Sequence, residues 1–140
     1  MRREQRALIR YRLDMAWATL NDARVLLDQG GSFWSVVNRA YYAIFYAALA
    51  LLITIGKAAA KHSGVIALFD QHFVKTGHFP REMSQWLHKA FDLRQIADYR
   101  ELVSLTEEQV LEVMQWAEAF VQEVEQFLSA ELAEGEADAG

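Results

Sequence analysis

The fold is decided by the stretch that runs from Ser32 to Gly56, SFWSVVNRAYYAIFYAALALLITIG. A helix that is apolar around so much of its circumference must be covered on several sides. The 17 uncharged residues from Ala40 to Gly56 are also at the short limit for a membrane span. The length rule favours a buried central helix, and no contact with a membrane is predicted. Two ridges of side chains run along this helix. The ridge of small residues consists of Ala40, Ala43, Ala47 and Ala50, and the ridge of bulky residues beside it consists of Tyr42, Phe45, Leu49 and Leu52.

Four further helices are predicted around this central one. Gly30 and Gly31 end the first helix, because glycine accepts the left-handed conformation at a helix C-terminus. Ser32 is the expected cap of the second helix and Ser63 that of a short third helix, and Thr106 opens a capping box before the fifth. Short connections put neighbouring helices antiparallel. The sequence therefore predicts an all-α, up-and-down antiparallel bundle of four long helices and one shorter helix. The four long ranges are 3–29, 33–55, 80–98 and 106–132.

The chain is predicted to form one domain, a bundle over residues 1–132 followed by an acidic, disordered tail over 133–140. The net charge is −5, but it is unevenly placed. Residues 1–100 contain 14 Lys and Arg against 8 Asp and Glu, whereas residues 101–140 contain 11 acidic residues and no basic one. Two interpretations stay open. The acidic segment is a solvated helix with a frayed end, or it shields a basic surface on the body.

Several classes of chemistry have no support in the sequence. The chain contains no cysteine, which excludes disulfides, thiolate metal sites and cysteine catalysis. No phosphate-binding loop, G-x-S-x-G or H-E-x-x-H motif is present, and no two histidines are three or four residues apart. We therefore predict neither a metal nor a cofactor. The N-terminal residues lead into an amphipathic stretch and not an apolar one, which favours a cytoplasmic protein.

Two arginines interrupt inward-facing apolar stripes. Arg94 lies in line with Leu87 and Ala90 on the fourth helix, and Arg39 lies in line with Ala43 on the second. An arginine on an inward face needs a partner, because an unpaired buried charge is very costly. One interpretation is structural, with each arginine paired to a carboxylate, a tyrosine or a backbone carbonyl. The other is functional, with both guanidinium groups lining a groove that binds phosphate.

A second candidate is the basic segment before the third helix. Lys57, Lys61, His62 and Ser63 lead into a helix N-terminus, where free N–H groups and the helix dipole favour an anion. Simple capping by Ser63 explains the same pattern.

Three segments together resemble a known family. They are Asn38–Ala48 (NRAYYAIFYAA), Lys61–Ile66 (KHSGVI) and Leu93–Tyr99 (LRQIADY). In this order they resemble the motifs of a prokaryotic branch of the HEPN domains, over about residues 5 to 130. The resemblance implies a five-helix bundle that forms homodimers. It also implies pairing with a minimal nucleotidyltransferase in toxin–antitoxin modules.

Many HEPN proteins are metal-independent ribonucleases, and the resemblance makes Arg94 the arginine of their active-site motif. In that motif a polar residue usually follows the arginine, and a histidine comes four to six residues after that. Here Gln95 follows Arg94, the histidine positions hold Tyr99, Arg100 and Glu101, and no histidine follows Arg94 at all. Tyr99 is a poor replacement, since an unperturbed tyrosine has a pKa of about 10. A histidine from another helix, His62 or His88, could still enter the groove.

The missing histidine favours a non-catalytic binding subunit, whose partner is a nucleotide, an RNA or a minimal nucleotidyltransferase. The alternative is a metal-independent endoribonuclease with a variant catalytic site made of Arg94, Asp98 and Tyr99. A purely structural helical adaptor is a third possibility. The predicted ligand-binding residues are Arg39, Tyr42, Tyr46, Lys61, His62, Ser63 and Arg94.

Overall fold

The computed structural model describes residues 2–96 and 104–139, and for residues 134–139 it describes the backbone alone. This part of the chain is all-α and contains no strand, and its helices pack against each other as a bundle. A short π-helical segment, Asp70–Val74, follows the third helix directly. The five α-helices are α1 (Arg3–Asp28), α2 (Phe33–Thr54), α3 (His62–Phe69), α4 (Arg81–Ile96) and α5 (Glu107–Ala139).

Helix α2 is the centre of the bundle, as the sequence predicts. It contacts α1, α3, α4 and α5. All four alanines of its small ridge are fully buried, and so are Tyr41, Ile44 and Leu51. Each large apolar side chain buried in this way stabilises the fold by about 1.5–3 kcal/mol. Helix α2 is long and apolar enough to cross a membrane, but 67% of its most apolar window is buried inside the bundle. Its apolar surface is therefore already covered by protein.

The predicted helix ends are confirmed at several positions. The Ser32 side chain accepts a hydrogen bond from the Ser35 N–H at 3.1 Å, which caps α2. At α5 the Gln109 N–H donates to Thr106 Oγ1 at 3.1 Å, and the Thr106 N–H donates to Gln109 Oε1 at 2.9 Å. These reciprocal bonds form the expected capping box. Gly30, which follows α1, has a φ of +77°, a conformation that most other residues avoid.

The prediction that Ser63 caps the third helix is wrong. The N-cap is Lys61, whose backbone is extended, and the Val65 N–H donates to the Lys61 carbonyl oxygen at 3.2 Å. Helix α3 thus begins at His62, one residue before Ser63. After Phe69 the backbone widens into the π-helical segment, where the Lys75 N–H donates to the Asp70 carbonyl oxygen. Helix α4 begins directly after Pro80.

The acidic C-terminal segment forms most of α5. The Trp17 indole N–H donates to Glu125 at 2.6 Å, and Arg24 pairs with Glu118 at 3.2 Å, so two of its carboxylates contact α1. The helix extends to Ala139, past Leu132, where the sequence predicts a disordered tail. The division into a bundle and a tail stays a prediction.

Candidate functional site

Arg39 and Arg94 converge on one aromatic ring. The guanidinium carbon of Arg39, on α2, lies 5.1 Å from the centre of the Tyr42 ring. The guanidinium carbon of Arg94, on α4, lies 5.2 Å from the same centre and 5.5 Å from the centre of the Tyr41 ring. The ring faces are partly negative and attract both cations. The two inward-facing arginines of the sequence therefore belong to a single cluster between α2 and α4.

Asn38 fixes the orientation of Arg39. The Arg39 Nε–H and Nη2–H groups both donate to Asn38 Oδ1, at 3.2 and 2.9 Å. A side-chain amide is neutral, so this contact holds the guanidinium in place without cancelling its charge. Arg39 is half-buried and retains a full positive charge for a ligand.

His62 enters the same cluster from the first residue of α3. Its Nδ1 lies 2.7 Å from the Tyr41 hydroxyl oxygen. Its imidazole stacks on the Phe45 ring with centres 4.1 Å apart and planes 13° apart. Phe91 of α4 completes the aromatic surroundings, at 6.4 Å from the imidazole. Although no histidine follows Arg94 in the sequence, the fold brings a histidine from another helix to the arginine cluster.

The surroundings of this hydrogen bond set the protonation of both partners. Burial raises the pKa of Tyr41, although the nearby Arg94 opposes the shift. Burial lowers the pKa of His62, and the positive charge of Arg94 lowers it further. Tyr41 is therefore a neutral phenol and His62 a neutral imidazole at neutral pH.

These protonation states select one tautomer of His62. Tyr41 is fully buried, and in the described part of the chain His62 is the hydrogen-bond partner of its hydroxyl. A buried O–H without an acceptor is costly, so the Tyr41 hydroxyl donates to Nδ1. The proton of the neutral ring then resides on Nε2, which makes His62 a hydrogen-bond donor towards a ligand. Two guanidinium groups and one imidazole N–H suit an anion such as a phosphate.

The other predicted site residues lie at the margin of this cluster or outside it. The Tyr46 ring is half-buried, with its centre 5.9 Å from that of Tyr42. Lys61 and Ser63 are exposed on either side of His62. Asp98 and Tyr99, the other candidate catalytic residues, lie outside the described residues.

His88, the other candidate histidine, has a different partner. Its Nε2 lies 2.6 Å from Asp70 Oδ2, so it forms a pair with the π-helical segment. Residues 2–96 and 104–133 contain no group of three or more histidine or acidic side chains that could hold a metal ion.

Tyr41, Phe45 and Phe91 are the members of the cluster that the sequence analysis did not select. Tyr41 and Phe45 fall within the NRAYYAIFYAA segment, but their apolar surroundings in the sequence suggest core residues. Both are indeed buried. The sequence holds no signal that singles out Tyr41, because its partner His62 is 21 residues away.

The close approach of α3 to the preceding loop requires a glycine at position 64. A Cβ atom built on Gly64 would lie only 2.8 Å from the Cβ of Ala59. Neither group is flexible, so α3 or the preceding loop would have to move.

We expect Gly64→Ala to destabilise the protein by about 1–3 kcal/mol, the usual range for overpacking, and to displace His62. Thermal unfolding measures the first effect, and Ala67→Gln, at an exposed position of the same helix, is the control, because glutamine is a good helix former. Unchanged stability and an unchanged His62 imidazole resonance in Gly64→Ala would contradict the prediction.

Comparison with known proteins agrees with this fold. The model of the HEPN domain family matches residues 9–127. A Thermotoga maritima protein named "UPF0332 protein" is 39% identical over 125 residues, which cover 89% of this chain and 94% of the relative. Two Methanocaldococcus jannaschii relatives carry the word toxin in their names. "Putative toxin MJ0605" is 35% identical over 91% of each chain, and "Putative toxin MJ0142" is 32% identical over 73% of this chain and 70% of the relative.

The helical bundle and its half-buried cluster of arginines, tyrosines and a histidine define an all-α protein with a cationic cluster between α2 and α4. The chain belongs to the HEPN family.

Proposed function

We propose that this HEPN protein is a binding subunit of a toxin–antitoxin-type module, and that its arginine cluster holds a phosphate of a nucleotide or of single-stranded RNA. The observation that carries the proposal is the convergence of Arg39 and Arg94 on Tyr42, with the imidazole of His62 stacked on the neighbouring Tyr41 ring. Nucleotides and RNA are abundant in the cytoplasm, and we propose that the protein is located there.

The donor set matches phosphate chemistry. A guanidinium group offers parallel N–H donors at the spacing of two phosphate oxygens, and it stays charged at any physiological pH. A partly buried site strengthens these contacts, because the surrounding dielectric is lower than that of water. With a net charge of −5, the protein as a whole does not attract nucleic acid, and recognition must be local.

The direct test is fluorescence anisotropy with a labelled single-stranded RNA of about eight nucleotides, within the usual site size of single-strand binders. The proposal predicts saturable binding that inorganic phosphate weakens by competition. An absence of binding at protein concentrations up to the millimolar range would contradict it.

A metal-independent endoribonuclease is the second candidate function, and the specific observation in its favour is His62. This histidine supplies the imidazole that the motif around Arg94 lacks. The hydrogen bond from Tyr41 counts against it, because it occupies the one lone pair that a neutral imidazole could use as a general base. Binding without cleavage is therefore the function that the geometry supports better.

We propose a homodimer that binds a minimal nucleotidyltransferase. The relatives whose names carry the word toxin support a module of this kind. Tyr11 and Val25 on α1 are 56% and 51% exposed, which leaves apolar surface for an interface. Light scattering during gel filtration should give twice the 16.0 kDa mass of one chain at micromolar concentration, and a larger complex when a neighbouring nucleotidyltransferase gene is co-expressed. A monomer mass would disprove the dimer, and separate elution would disprove the complex.

A further inference from the structure

A second groove lies beside the arginine cluster, between α1, α2 and the loop that joins α2 to α3. Its volume is about 430 Å³, within the range of about 300–1,000 Å³ that is typical of small-ligand sites. The side chains that matter for its chemistry are Leu8, Arg12, Phe45, Leu49, Lys57 and His62.

The groove is continuous with the arginine cluster. Phe45 and His62 line the groove, and the same two rings stack on each other beside Tyr41. A ligand whose phosphate is held by Arg94 and the Nε2–H of His62 can therefore extend past the imidazole into the groove without leaving the protein surface.

The lining combines an apolar floor with a purely cationic rim. Leu49, Leu52 and Ile53 of α2 form the floor. The ionisable side chains among the lining residues are those of Arg12, Lys57 and His62, and none is a carboxylate. Arg12 is half-buried over the Tyr11 ring, and Lys57 is exposed.

The loop side of the groove is built from small residues. Ala58, Ala59 and Ala60 form this wall, so their side chains leave room for a flat group next to the backbone. Gly64 allows α3 to approach Ala59 closely and thereby sets the position of the wall.

We propose that this groove is a nucleotide subsite. It receives an unpaired base of an RNA strand whose neighbouring phosphate is held by the arginine cluster, while Arg12 and Lys57 contact the next phosphate. An apolar floor with cationic edges is the combination that single-stranded nucleic acid requires, because the base is apolar on its faces and each linkage is anionic. Carboxylates of a peptide, or of the acidic C-terminal segment of a second copy, would match the rim alone, whereas the apolar floor and the flat space beside the alanine wall suit a base. The inference rests on the proposed function and extends it from a single phosphate to a strand.

The test compares two ligands on the same variants, adenosine 5′-monophosphate and a single-stranded RNA of about eight nucleotides. In Arg12→Ala/Lys57→Ala the affinity for the RNA should fall about tenfold, and the slope of log affinity against log salt should decrease by about 0.7 per cation removed. The affinity for the mononucleotide should not change, since its phosphate needs the arginine cluster alone. Lys75→Ala/Arg81→Ala, which removes two exposed cations elsewhere, is the matched control.

Ala58→Glu provides an independent test, because it places a carboxylate on the exposed wall of the groove. It should weaken the binding of both RNA and the mononucleotide, because each places a base in the groove, whereas Ala18→Glu on the exposed surface of α1 should change neither. Equal affinities for RNA in the groove variants and the controls would overturn the subsite and leave the proposed function standing. Failure of the wild type to bind either ligand would overturn both.

Discussion

Replacing Arg39 and Arg94 together with alanine should weaken the binding of single-stranded RNA by about 100-fold or more. A hydrogen bond to a charged group contributes about 1.5–3 kcal/mol, and each 1.4 kcal/mol is a factor of ten in affinity. The two effects need not add, because both guanidinium groups contact the Tyr42 ring. Fluorescence anisotropy measures the loss, with circular dichroism to show that the double variant is folded.

Matched variants distinguish the contribution of the planar guanidinium donors of Arg94 from that of its positive charge. Arg94→Lys keeps the positive charge but loses the planar pair of donors, so its RNA affinity should lie between those of the wild type and Arg94→Ala. Arg81→Ala removes an exposed cation at the opposite end of α4 and should have no measurable effect. Wild-type affinity in a folded Arg39→Ala/Arg94→Ala variant would refute the site.

The second large expectation is that the isolated protein does not cleave RNA at a meaningful rate. Metal-independent cleavage requires a group that removes the proton of the 2′-hydroxyl and a group that stabilises the charge on phosphorus oxygens. Arg94 can supply the second, but general acid–base catalysis, typically worth about 10²–10⁴-fold, needs a base with a free lone pair. His62 directs its lone pair at the buried Tyr41 hydroxyl. Asp98 is four residues from Arg94 in sequence, and an aspartate with an ordinary pKa of about 3.9 is a weak base.

Incubation of purified protein with structured and unstructured RNA tests this expectation, with a chelator present to suppress metal-dependent contaminants. Arg94→Ala is purified and assayed in parallel. Intact RNA with both proteins is the predicted result. Cleavage by the wild type that disappears in Arg94→Ala would make the ribonuclease the leading function.

Sequence reasoning predicts the helical skeleton well, because helix ends and apolar stripes are local properties. The caps at Ser32 and Thr106 each depend on residues within one turn, and both are confirmed. The buried position of α2 follows from its composition alone. The start of α3 is less predictable, since Lys61 becomes its N-cap through an extended backbone and not through a side chain with capping chemistry.

The site was only partly predictable for a different reason. The inward positions of Arg39 and Arg94 can be read from helical periodicity, and both arginines do converge on Tyr42. The pairing of Tyr41 with His62 joins residues 21 apart in sequence, and no local pattern specifies such a contact. The tautomer of His62 depends on the burial of Tyr41, which exists only in the packed bundle.

The binding of phosphate by the arginine cluster is tested most directly by NMR of the free protein and of its mixture with adenosine 5′-monophosphate. The spectra follow the Nε–H signals of the arginines and the imidazole nitrogens of His62. The account predicts that free His62 carries its proton on Nε2, and that the nucleotide shifts the signals of His62, Arg39 and Arg94 together while that of Arg81 stays in place. A nucleotide that shifts none of these three signals, or shifts only those of exposed arginines elsewhere, would contradict it.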